Sequence, residues 1–181
     1  MSKLSIPSSF LTGGLLGASF IEIGEALGIY TGMRGVKYYS EAHKRVLNKV
    51  IHCLCMPLTF YGMSHWVPGI LQYIVKKIYP KYDFDHKKFN LAVIGFYVGH
   101  YLRIKPSSAL IFFLLYGNIT IDTIDKKRSV VNGLTISTCS LIVQEILGHW
   151  LSGDIPSRAE GVVNSILYAP FYACTLSRYL E

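Results

Sequence analysis

The chain has 181 residues, 51% of them hydrophobic, with a mean hydropathy of +0.34 and a formal net charge of +7. The length points to one domain, and so apolar a composition excludes an ordinary water-soluble globule, because the surplus apolar surface has to be covered by lipid. The basic balance does not indicate nucleic acid, since the lysines and arginines lie in short clusters between apolar runs, the arrangement of membrane flanks.

Phe10 to Tyr30 predicts a retained, weakly apolar helix rather than a cleaved leader, because Glu22 and Glu25 interrupt it and no convincing small-residue cleavage site follows. Gly13, Gly14, Gly17, Gly24 and Gly28 give it a face that lets another helix approach closely. Glu22 and Glu25 share a face and belong either in a polar cavity or in interfacial water. A basic join, Arg34 to Lys49, leads to the apolar run Val50 to Val75, which Pro57 and Pro68 should kink or split. Lys76 to Lys88 reads as a charged loop. Phe89 to Ile124 reads as a helical hairpin turning at Arg103-Ile104-Lys105-Pro106. Ser129 to Trp150 is the next span, followed by a Gly/Asp/Pro loop and a last helix from Gly161 to Leu180. Cys53, Cys55, Cys139 and Cys174 lie inside apolar runs without CxxC spacing and read as reduced packing residues.

The expected fold is therefore all-α, a multi-pass helical membrane bundle of five to six segments, since a spanning backbone must satisfy its own hydrogen bonds. If Val50–Val75 crosses once, the hairpin turns back and Ser129–Trp150 crosses once, His52 and His149 lie on the same side of the membrane. They can then meet.

Chemistry concentrates where basic joins enter apolar runs. Tyr38-x4-His43-x4-Asn48-x3-His52-x4-Pro57, then Gln144-x3-Gly148-His149, then Pro156 and Pro170, resemble the membrane-embedded 2-hydroxy fatty acid dioxygenase family over about Tyr38 to Tyr172. Residues 1–36 would then be an N-terminal extension and 37–181 the family-like region. The resemblance implies a helical protein of the endoplasmic reticulum membrane that uses iron(II) and O2 to shorten a 2-hydroxy fatty acid by one carbon. With it, His43, His52 and His149 become the expected metal ligands, which agrees with the suitability of imidazole for iron.

Asn48, four residues before His52, should orient that ring or bind substrate, and Gln144 should do likewise for His149. Gly153 and Leu176 stand where the resemblance would put glutamates, so either Glu145 or Asp154 substitutes or the protein is catalytically weak. Glu145, one α-helical turn before His149, is the expected partner. On a continuous helix His43 and His52 would lie on opposite faces, about 13 Å apart along the axis. Either the chain breaks near Lys44–Leu47 or the site is wider than one ion.

Lys44, Arg45 and Lys49 are candidates for the substrate carboxylate, and Tyr38 and Tyr39 for its head group or the membrane boundary. His65 reads as an interfacial anchor, His86 as a solvated loop residue and His100 as a polar spot near a helix end. Two other functions fit the same pattern: a non-catalytic structural relative, and a lipid-binding or transport protein whose cavity Glu22 and Glu25 would line.

Overall fold

The computed structural model describes residues 6–124, 129–154 and 162–174. Pro156 and Leu176, and the part of the expected last helix beyond residue 174, lie outside the described residues. Among these residues seven α-helices follow in order: α1 (Ser8–Ala26), α2 (Gly32–Glu41), α3 (Val46–Ile78), α4 (His86–Ile104), α5 (Pro106–Ile124), α6 (Val130–Val143) and α7 (Val162–Ala173), with a π-helical segment, Gln144–Trp150, continuing α6. There is no strand among the described residues. The all-α expectation holds, with one helix more than expected. The addition is α2, ten residues that overlap the start of the basic join. The boundary drawn at residue 36 falls within it.

Helix ends follow local chemistry. Asp85 caps α4, accepting from the Lys88 backbone N–H at 3.0 Å, and Ser129 caps α6 through the Val131 N–H at 3.1 Å. Lys105 alone separates α4 from α5, and Pro106 opens α5, where a missing N–H costs nothing. The hairpin expectation is met.

The prolines of the long apolar run do not split it: α3 is one helix of 33 residues. Proline at position i leaves the carbonyl of i−4 without its helical donor. For Pro68 that carbonyl belongs to Ser64, and the Asn90 amide of α4 donates to it at 3.0 Å. The same repair recurs in α7, where Pro170 frees the Ile166 carbonyl and the Tyr97 hydroxyl donates to it at 2.8 Å. Neighbouring side chains supply what the sequence of each helix alone lacks.

The glycine face of α1 packs on α4, which carries a matching pair. A Cβ on Gly17 would lie 1.9 Å from the Phe96 carbonyl oxygen, and one on Gly99 would lie 2.0 Å from the Gly14 carbonyl oxygen. The two backbones touch, as small-residue pairs spaced by four permit. Gly17→Ala should force the helices apart and lower stability by about 1–3 kcal/mol, read as a drop in thermal midpoint; an unchanged midpoint would mean that this contact is not made.

The core is aromatic. Phe112 stacks on Tyr116 at 4.5 Å between ring centroids, with Phe60 and Tyr101 edge-on at 4.9 Å from Tyr116 and 5.3 Å from Phe112. His65 and His100, expected near boundaries, are buried. His100 lies 3.3 Å from the Gly17 carbonyl and 3.1 Å from the Tyr168 hydroxyl, tying α4 to α1 and α7. Glu22 and Glu25 are exposed, and Glu22 pairs with Arg103 at 2.6 Å, so neither lines an internal cavity. The four cysteines are free, and Cys139 is exposed rather than packed.

The outer surface is strongly apolar. On α5 alone Leu110, Ile111, Phe113, Leu114 and Leu115 are exposed. Among the described residues one helix, the 21 residues Val130–Trp150 with mean hydropathy 1.5, is long and apolar enough to cross a membrane, and Pro106–Thr120 is a shorter apolar helix.

Candidate metal centre

Three elements bring the histidines together. His43 lies in the break between α2 and α3, its backbone N–H bonded to the Ser40 carbonyl at 3.1 Å. His52 is on the second turn of α3, and His149 is in the π segment. The break at residues 42–45 removes the conflict posed by a continuous helix. All three rings are buried, and one nitrogen from each lies within 4.8 Å of the others. This cluster could hold a metal ion.

The arrangement of donors suits that role. A carbonyl only accepts, so the 2.8 Å contact between His43 Nδ1 and the Tyr39 carbonyl places the ring proton on Nδ1 and leaves a lone pair on Nε2. That Nε2 is buried without a hydrogen-bond partner. Burial, outweighing the Tyr39 carbonyl, pushes the His43 pKa down to about 4, so the ring is neutral and able to ligate at physiological pH. His52 Nε2 and His149 Nε2 face each other at 3.2 Å. Two nitrogens bound to one ion through bonds of about 2.0–2.1 Å stand about 3.0–3.4 Å apart, so the pair already has the separation of neighbouring ligands.

Tyr39 supports two of the three rings. Its carbonyl holds His43, its ring stacks on His43 at 3.9 Å, and its hydroxyl lies 3.4 Å from His52 Nδ1. The sequence offered a signal for this, since Tyr39 precedes His43 by one helical turn. Tyr38, by contrast, stacks on Tyr30 at 5.0 Å, away from the histidines.

Asn48 is fully buried and its amide nitrogen reaches Asp154 Oδ2 at 2.9 Å, the Ala42 carbonyl at 3.3 Å and His149 Nδ1 at 3.3 Å. It thus serves His149, not His52 as its position on α3 suggested. Its Oδ1 is buried without a partner, and Gly148 comes so close that a Cβ there would lie 2.7 Å from that oxygen. Asp154 also accepts from the Arg45 backbone N–H at 2.9 Å, joining the loop after the π segment to the start of α3.

Glu145 does not take the place expected of it. In an α-helix residues four apart share a face, but the π segment bonds at i→i+5, as in the Leu151 N–H to Ile146 carbonyl contact at 3.0 Å. Its turn therefore aligns Gln144 with His149, and both are buried while Glu145 is exposed. Gln144 donates to the Thr59 hydroxyl at 2.9 Å and to the Ser140 carbonyl at 3.3 Å, fastening the π segment to α3. His86 contacts Gln72 at 2.8 Å, far from the cluster in the fold.

An apolar cavity of about 460 Å³ opens against the cluster, with Tyr39 and His52 at its near end. Its volume is within the usual range for small-molecule sites. No family model, curated protein or solved structure matches the chain. Fold and site together define a class in physical terms: an all-helical protein whose buried three-histidine cluster could hold a metal ion at the end of an apolar cavity.

Proposed function

We propose that the protein is a membrane-embedded, iron(II)-dependent dioxygenase that shortens 2-hydroxy fatty acids by one carbon, working as a multi-pass bundle in the endoplasmic reticulum membrane. The observation that carries the reading is the junction of three buried imidazole nitrogens with an apolar cavity. Imidazole nitrogens suit iron, and three of them leave positions for oxygen and substrate. Bound there, iron(II) supplies the redox chemistry toward O2 that side chains lack.

The chain's own residues bind and orient. The cavity takes the hydrocarbon tail and excludes water from the histidine end. Lys44 and Arg45, exposed directly after His43, meet the carboxylate from the aqueous side. Tyr39 and the Asp154–Asn48 pair fix the imidazoles, so that binding of the head group brings its Cα–C1 bond to a rigid site. The apolar exterior of α5 and the Val130–Trp150 helix support the placement in a bilayer.

The test is metal analysis of the purified protein together with O2 uptake on 2-hydroxypalmitate. We expect about one iron per chain and uptake that requires both the metal and the 2-hydroxyl. Bound metal without uptake, or uptake equal on palmitate, would overturn the reading. The cavity also favours a second function, lipid binding without chemistry, which predicts tight fatty-acid binding in a protein that retains no metal.

A further inference from the structure

We infer that the cavity measures acyl-chain length, with Val67 and Phe89 setting its far limit at a straight tail of about 16 to 18 carbons. This rests on the acyl substrate proposed above and not on the identity of the metal.

The cavity has one direction. Along α3 its wall runs through His52, Met56, Phe60, Met63 and Val67, spaced by three or four residues and therefore on one face. Helix α4 runs the opposite way: Tyr97 lies beside Phe60, at 6.0 Å between rings, and Asn90 bonds to Ser64. Phe89 consequently stands at the Val67 end. The fifteen residue steps from His52 to Val67 rise about 22 Å, which an extended hydrocarbon chain at about 1.3 Å per carbon spans with about 17 carbons.

The wall is as apolar as its shape suggests. Several of its polar groups are engaged within the protein: Thr59 with Gln144, Trp66 with Ser137 at 2.9 Å, Asn90 with the Ser64 carbonyl. Among the described lining residues the only carboxylate or cation is Glu145, toward the histidine end. A straight alkyl tail makes no polar demand on such a wall, and each methylene taken up gains apolar contact until the far end stops it.

The experiment uses the full chain in amphipol with Trp150→Phe, so that Trp66 on the cavity wall is the sole tryptophan reporter. Saturated fatty acids of about 8 to 20 carbons are the probes, titrated in the presence of EDTA. Affinity should rise with length and stop rising near about 16 to 18 carbons. Met63→Phe, eleven residues from His52 and so about 16 Å along the helix, should move the break to about 12 or 13 carbons. It should weaken palmitate about tenfold and leave decanoate unchanged, and retained decanoate binding shows that the variant is folded. Val67→Phe should produce a smaller shift in the same direction.

Affinity rising smoothly to 20 carbons in every variant, or the same break in all of them, would overturn the inference. Because the probes lack a 2-hydroxyl and the metal is removed, failure of the dioxygenase reading leaves a length break in place. Loss of the break with O2 uptake intact would sink the inference alone.

Discussion

His43→Ala, His52→Ala and His149→Ala should each release the metal, whereas His86→Ala should retain it at the wild-type level. Each of the three removes one nitrogen of a set lying within 4.8 Å, and two imidazoles without a third protein ligand hold a divalent ion far more weakly. His86 serves as the control because its contact is with Gln72. Metal content after gel filtration and dialysis measures the difference. Equal metal in all four variants would show that the cluster is a packed set of aromatic rings and no more. The three substitutions should leave the helix content in circular dichroism unchanged, since each removes a ring from a site fixed by three separate elements.

The second large effect is expected at Asp154. Asp154→Asn should cost about 10–100-fold in metal affinity, the usual penalty for losing a carboxylate behind a ligand, while Glu145→Gln should cost almost nothing. Asp154 Oδ2 accepts from the Asn48 amide and from the Arg45 backbone, and Asn48 lies against His149. An asparagine at 154 can still accept one of these bonds but loses the charge that strengthens both. Competition with a metal-sensitive dye gives the affinities. The reverse ranking, Glu145→Gln losing metal and Asp154→Asn keeping it, would restore the assignment drawn from α-helical spacing.

The apolar runs between basic joins gave the helices because spanning-length hydrophobic segments and Lys/Arg clusters punctuate them plainly. The hairpin at Lys105 followed from its proline and charges. Meeting of His52 with His149 was accessible from topology alone. Three things were not. Helix α2 is short and polar, so hydropathy passes over it. Pro68 reads as a break because the partner of the Ser64 carbonyl, Asn90, lies 26 residues away, and nothing local announces it. The π turn was hidden because Gln144 to Trp150 has an ordinary helical composition, and only its bonding at i→i+5 rotates Glu145 outward and leaves Gln144 in line with His149. In the proline case the signal is in how segments dock, which a one-dimensional pattern does not contain.

The π segment also makes the site a matter of counting. Between Gln144 and His149 the chain holds one residue more than an α-helical turn would need, and in an α-helix each residue accounts for about 100° of rotation. Ile146 and Leu147 in that interval lie on the surface at 45% and 39% exposure. Their identity is therefore free to drift among apolar residues, but their number is not. The direction in which His149 points is inherited from the spacing of the chain, so that a change of length there is heritable damage to the site even when every named ligand is preserved.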